Sequence, residues 1–306
     1  MPDKKKRVIY VAMAGNLGIA IMKFFAAVFT GSSAILAEGI HSVVDTANEM
    51  LLVLGMRRSQ QPADARHPYG YGKELYFWSL MVAVVLFGIG GGITIYEGIL
   101  HLLAPHALKD SLWAYVVLGI SALLEGISWS VALREILASK GEHTLWQTMR
   151  RSYDPSVFTV LLEDTAALIG ITIAFLGIYL AQRYNNPLFD GAASILIGVT
   201  LCVVALLLIR ESKDLLVGES AKPEVNAELL VMVGREPGVA TVKRLLTMVV
   251  GPEEILLNIE AQFAAGMSAN DVAETVNRLE MAIRQRYPRI KKIFIEAEPL
   301  ATPVVG

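Results

Sequence analysis

A chain of 306 residues that is 54% hydrophobic and 18% charged, with a mean hydropathy of +0.50, is too apolar for a water-soluble domain and too aliphatic for disorder or a low-complexity scaffold. A net charge of −2 gives no basic footprint, so no nucleic-acid partner is expected. The single cysteine, Cys202, lies in an apolar run, which excludes a disulfide framework and a thiolate metal cluster.

Six stretches, roughly 8–30, 34–56, 75–103, 112–136, 155–181 and 188–209, reach the length of about 20 residues that a helix needs to cross a bilayer core. Gly31-Ser32-Ser33 ends the first and Pro105 the third, Asp154-Pro155 caps the fifth, and Asn185-Asn186-Pro187 parts the last two. With the N-terminus inside, Lys4, Lys5, Lys6, Arg7, Arg57, Arg58, Arg66, Lys73, Arg134, Lys140, Arg150, Arg151, Arg210 and Lys213 fall inside, against Lys109 and Arg183 outside. This asymmetry predicts both termini in the cytoplasm. The short loops and the lack of a transit-peptide pattern point to a bacterial inner membrane.

Composition changes near residue 212, giving a transmembrane domain over 1–211 and a small cytosolic domain over 212–306. Pro223 opens a helix to about Gly234, and Val239 to Val250 reads as a strand turning at Gly251-Pro252. A second strand alternates Ile255, Leu257, Ile259, Ala261 and Phe263 with Leu256, Asn258, Glu260 and Gln262. Ser268 with Asp271 caps a helix to about Arg286, and Ile290 to Glu298 is a last strand, giving the order α-β-β-α-β. The fold class is a mostly α membrane protein of six spans followed by a small α/β domain.

Ionisable groups at mid-membrane cost about 2.5–3.5 kcal/mol each on insertion scales, so a set of them calls for a compensating role. On the second span His41 and Asp45 are four apart and share a face, which Glu38 and Asn48 or Glu49 extend. Glu163 and Asp164 lie on the fifth span, Asp164 ten residues after Asp154 and so about 15 Å deep. Entering from the other side, Asp45 reaches the same level. An imidazole and two carboxylates, His41, Asp45 and Asp164, form a site for a divalent transition metal. Ligands must lose protons to bind metal, so protons returning to them expel it, which is cation/proton exchange without ATP. Buried helix–helix hydrogen bonding is the alternative reading of these groups.

Glu125, inside the fourth span, reads as an accessory ligand, a proton relay or a partner of Ser128. Glu97 and His101 are placed at the outer interface, and Gly88, Gly90, Gly91 and Gly92 read as close helix packing. In the loop, Asp64 and His67 are three apart and form a candidate second site, with a structural role as the alternative.

The segment from Gly15 through Ser33-Ala-Ile-Leu-Ala-Glu-Gly-Ile-His41-Ser-Val-Val-Asp45, followed by His67-Pro-Tyr-Gly-Tyr-Gly-Lys73, resembles the cation diffusion facilitator family. The run Leu162-Glu163-Asp164-Thr-Ala-Ala-Leu-Ile-Gly170 looks closest to its zinc transporter 9-like branch. The resemblance implies a homodimeric antiporter in the lipid bilayer that exports zinc or a similar cation (manganese, iron, cobalt, nickel) in exchange for protons, with no permanent cofactor and no enzymatic reaction.

Four-ligand members usually carry a histidine four residues before the aspartate of the fifth span, where this chain has Val160. Three ligands completed by water, or substitution by Glu163, Asn48, Glu49 or Glu125, are the alternatives. The tail has neither histidine nor cysteine. At positions corresponding to the family's regulatory ligands it carries Asn258 and Glu296, so a dimerising tail that binds transition metal weakly is expected. The resemblance also implies a charge pair between loop and tail, for which Lys73 with Asp214 or Glu219 is the candidate. A passive channel lined by the same groups and a membrane-embedded metallohydrolase remain rivals. The hydrolase lacks a fuller signature such as H-E-x-x-H.

Overall fold

The structure, a computed structural model, describes residues 3–106, 108, 112–139, 144, 147, 148 and 153–298, with side chains from Gly15 onward, Val157 excepted. Lys109, Lys140, Arg150, Arg151 and His143 lie outside the described residues.

Six long helices come first: α1 Asp3–Thr30, α2 Ser33–Ser59, α3 Glu74–Leu103, α4 Leu112–Ser139, α5 Pro155–Arg183 and α6 Leu188–Val217. Four of them, α3 to α6, are long and apolar enough to cross a membrane, and the described apolar part of α1 runs Gly15–Thr30. α2 falls short in hydropathy because it carries Glu38, His41, Asp45, Glu49, Arg57 and Arg58. The six-span reading thus rests for α2 on its position among the others rather than on its own composition. Punctuation follows local chemistry. Gly31 takes φ 71°, open to glycine, at the end of α1. The Asp154 side chain accepts from the Ser156 N–H, with proline at the start of α5. α6 continues eight residues past the expected boundary at 209, since Glu211, Lys213 and Asp214 suit a helix leaving the apolar zone.

The chain divides into two compact units, Met1–Arg57 with Leu75–Lys213, and Arg58–Glu74 with Asp214–Gly306. The loop after α2 therefore groups with the tail.

In the helical unit, α3 widens to a π-helix over Leu86–Ile93 and returns to α-helix at Thr94. α3 and α6 meet backbone to backbone. A Cβ on Gly98 would stand 2.9 Å from the Ile195 nitrogen and 3.0 Å from the Gly191 oxygen. One on Gly198 would stand 2.9 Å from the Gly91 oxygen, and one on Gly91 would overlap the Cys202 sulfur. Ser194 Oγ adds a hydrogen bond to the Thr94 carbonyl at 3.2 Å. Close packing is thus the work of Gly91 and Gly98. Gly88 and Gly92 meet nothing from another helix. Leu123, Ile127 and Val131, one turn apart on α4, are exposed, as befits a lipid-facing stripe.

The second unit holds α7 Pro223–Gly234, β1 Val239–Gly251, β2 Glu254–Phe263, α8 Ala269–Arg286 and β3 Ile290–Glu298, in the expected order. The sheet order is β1-β2-β3, with β1 antiparallel and β3 parallel to β2. A parallel neighbour requires a crossover, which α8 supplies. Ile255, Leu257, Ile259, Ala261 and Phe263 are the buried face of β2, and Thr275, Leu279 and Ile283 that of α8. The Ser268–Asp271 capping box forms as the sequence specifies.

Candidate metal centre

α2 turns His41, Ser42 and Asp45 into the helical unit together with Glu38, a consequence of the 3.6-residue period. His41 Nδ1 lies 3.2 Å from Asp45 Oδ1 with the imidazole side chain 1% and the carboxylate 16% exposed. The approach is not directed as a hydrogen bond. Both imidazole nitrogens and Asp45 Oδ1 are buried without a hydrogen-bond partner. Buried polar atoms are rarely left so, because each forfeits its hydration. Two ligands of a tetrahedral zinc ion, each about 2.0–2.2 Å from the metal, stand about 3.3 Å apart. The observed spacing is that of a ligand edge.

Neighbouring helices supply more polar groups. Asn48, fully buried, donates from Nδ2 to Glu163 Oε1 at 2.6 Å, joining α2 to α5. Its Oδ1 has no partner. Asn16 on α1 donates to Glu49 Oε1 at 2.8 Å, leaving Glu49 Oε2 without one. Ser128 Oγ donates to Asp164 Oδ2 at 2.7 Å, so the serine expected beside Glu125 is used by Asp164 instead. The charges of Asp45 and His41 act on Glu125, Glu163 and Asp164, and Asp45 acts on Glu49 as well. Five carboxylates and one imidazole thus share one field, which a cation would relieve. Among the described residues, no three His, Cys, Asp or Glu side chains close on a common point. His41 and Asp45 form a ready pair, while Asp164 is engaged by Ser128. Val160, at the position of the missing ligand, is half-buried.

Two buried charged groups in the helical unit escaped the sequence reading. Lys23, fully buried on α1, donates to Glu38 Oε2 at 3.0 Å and to Ser42 Oγ at 2.8 Å. Its signal was present: Asn16 and Lys23 are seven apart, hence on one helix face, and bond Glu49 and Glu38 on the antiparallel α2. Asp190 at the start of α6 is fully buried and accepts from Ser32 Oγ at 2.5 Å, Ser33 N–H at 2.6 Å and Ser33 Oγ at 3.0 Å. It caps α2 from another helix, an arrangement with no local sequence signature. His101, read as interfacial, has its side chain 9% exposed with Nε2 3.7 Å from Asp190.

In the second unit, Asp64 is occupied by its own loop. It accepts from the N–H of His67 at 2.6 Å and of Arg66 at 2.9 Å, and from the Tyr71 hydroxyl at 2.8 Å. The His67 N–H, then Tyr71, hold its carboxyl below the usual carboxylate range. His67 stacks on Tyr71, ring centres 4.2 Å apart, with Nδ1 3.6 Å from Asp64. Lys73 donates to the Leu216 carbonyl at 3.3 Å, between Asp214 and Glu219 in sequence. Asn258 lies opposite Phe294, and Glu296 opposite Glu260, so the two tail positions are not cross-strand partners.

A cation efflux transmembrane domain model matches residues 9–217. The chain is 36% identical over 260 residues to the proton-coupled zinc antiporter SLC30A9, mitochondrial, of Mus musculus, covering 84% of this chain and 46% of that protein. It is 32% identical over 281 residues to metal tolerance protein C4 of Arabidopsis thaliana, covering 90% of this chain and 61% of the other. The chain thus spans about half the length of these curated relatives. Among solved structures, a nickel form of the MamM C-terminal domain is similar at 22% identity, covering 26% of this chain and 99% of that one, with a TM-score of 0.24.

Proposed function

Because the chain belongs to the cation efflux family, that of the cation diffusion facilitators, and is on that ground a membrane transporter rather than an enzyme, we propose that it exports zinc from the cytoplasm in exchange for protons. The observation that carries this reading is the His41–Asp45 pair, buried with three unsatisfied ligand atoms at the spacing of a zinc ligand edge. In this reading Asp164 leaves Ser128 to complete the set, with water or Glu163, Glu125, Asn48 or Glu49 in the place that Val160 cannot fill. Imidazole with carboxylates suits zinc and its transition-metal neighbours. Proton return to the same atoms releases the cargo, so binding and coupling use one set of groups.

Asp64 and His67 act in this reading as loop architecture, since the carboxylate is already spent on backbone and tyrosine donors. The tail pairs with a second copy. Leu246 and Phe294 are exposed and flank Asn258 on one sheet row, an apolar strip that such pairing would cover. Both termini face the cytoplasm, and a bacterial inner membrane is the proposed location.

The test is uptake into proteoliposomes loaded with a zinc-sensitive dye, with and without a pH gradient. Gradient-stimulated flux abolished by Asp45→Ala and by Asp164→Ala is expected. Flux indifferent to both substitutions would return these carboxylates to a structural role, and gradient-independent flux would favour a channel. Transport of manganese, iron, cobalt or nickel but not zinc would change the cargo and keep the site.

A further inference from the structure

We propose that Glu97, His101 and His106 form a second divalent-cation site, oriented by Asp190, at the end of the helical unit where α1 and α3 finish and α2 and α6 begin. A cavity of about 610 Å³ opens there, lined among others by Ser32, Ser33, Glu97, His101 and His106. His101 is the anchor. Its side chain is 9% exposed, and Nε2 has no hydrogen-bond partner while facing Asp190 Oδ2 at 3.7 Å. Asp190 is fixed by the two serines and by the Ala34 N–H at 3.4 Å, so it cannot leave to serve another group.

A buried carboxylate facing one imidazole nitrogen at 3.7 Å is a small ring movement short of the outer-shell hydrogen bond that sets a metal-binding histidine, with the other nitrogen left for the ion. His106 stands with its ring centre 6.1 Å from that of His101. Two imidazoles bound to one ion at about 2.0–2.1 Å per nitrogen have ring centres roughly 5–6 Å apart. Glu97 is one turn before His101 on the same face of α3 and lines the same cavity. His106 is exposed and Glu97 half-buried, and both line the open cavity, where a change of rotamer costs little. That rotation is needed, since no three such groups among the described residues close on one point as they stand. Two imidazoles, one carboxylate and a water are a ligand set for zinc and its neighbours.

The place gives the role. His41 is eight residues beyond Ser33 on α2, about 12 Å along its axis. On the export reading above, and only for this role, the second site receives the cation after it leaves the His41–Asp45 pair. Binding itself does not depend on that reading.

The experiment uses the full chain in detergent carrying Asp45→Ala, which removes the paired-helix site. Cobalt(II) is the probe, because its visible bands report tetrahedral nitrogen and oxygen ligation, with zinc competing. One cobalt bound in this background, at least tenfold weaker with His101→Gln and several-fold weaker with His106→Ala or Glu97→Gln, is the expected result. His106→Ala alters an exposed side chain, so its effect stands even where His101→Gln lowers the melting temperature. No cobalt bound in the Asp45→Ala chain, or binding indifferent to both histidine substitutions, overturns the site. Zinc flux that survives Asp45→Ala while cobalt binding still depends on His101 would sink the reading of the His41–Asp45 pair as the transport site and leave this site intact.

Discussion

α1 and α2 are joined by a buried lysine–glutamate pair and an asparagine–glutamate bond, Lys23 to Glu38 and Asn16 to Glu49. α3 and α6, in the same unit, are joined by glycines seven apart on each helix, Gly91 and Gly98 against Gly191 and Gly198. The first seam leaves Glu38 Oε1 and Glu49 Oε2 over, on the helix that carries the His41–Asp45 pair. The second brings backbones into contact and leaves Thr94 Oγ1 over, with no ligand atom among the described residues beside it to make a site. In an apolar surrounding, where burial of apolar surface gives no drive between helices, close packing holds helices together without a chemical opening. Polar seams cost desolvation but position ligands. A transport site is therefore expected on the polar seam, with the glycine seam as its rigid support.

The largest break in this comparison comes from Lys23→Met, which leaves Glu38 charged and buried without its partner. A loss of about 3–5 kcal/mol is expected from denaturant unfolding in detergent, and most of it returns in Lys23→Met with Glu38→Leu. A single-variant loss below about 1 kcal/mol would show that the pair does not hold α1 to α2. Asp190 ties the two seams together, and Asp190→Ala removes an anionic acceptor from several buried donors. It should cost about 2–3 kcal/mol, read by the same unfolding curve. Gly98→Val tests the glycine seam. Its Cβ meets backbone at 2.9 and 3.0 Å, so about 1–3 kcal/mol is expected. Gly119→Ala, with nothing within 4 Å, should stay within about 0.5 kcal/mol. A Gly98 variant as mild as Gly119→Ala would dissolve the contrast.

A last, small effect lies in the tail and gives a baseline independent of both seams. Ser268→Ala should cost about 1 kcal/mol in melting of the tail signal. The Ser268 hydroxyl, then its N–H, hold the Asp271 carboxyl below the usual range. A lowered folded value means that the contribution is complete above the ordinary aspartate range near about 4 and is lost as pH falls through the lower folded value. NMR titration should show Asp271 returning toward the ordinary range in Ser268→Ala.

Helix positions and the tail order were legible because they rest on local chemistry: apolar length, Asp154-Pro155, the Ser268–Asp271 box and the period-two alternation of β2. His41 and Asp45 were legible because i, i+4 spacing fixes a shared face. What stayed hidden was the choice of partner across elements. Ser128 stands three residues from Glu125, the partner that sequence offered it, and it bonds Asp164 on another helix instead. Lys23 was visible as an ionisable group inside a span, and only its contact with Glu38 makes it part of the site's frame. Asp190 reads as an ordinary first-turn acid of α6. Its use as the cap of α2 depends on three-dimensional proximity that no window along the chain contains.

That cap also sets a schedule for biosynthesis. The ribosome must add 157 residues between Ser33 and Asp190 before the first amides of α2 meet their acceptor. At about 5–20 residues per second this is a wait of about 8–30 s. During it, the least apolar of the six helices has to be sheltered with its opening turn unsatisfied. Nascent chains arrested short of Asp190 should accordingly be released poorly into the bilayer and degraded fast, whereas those arrested just beyond it should already resist proteolysis at the start of α2.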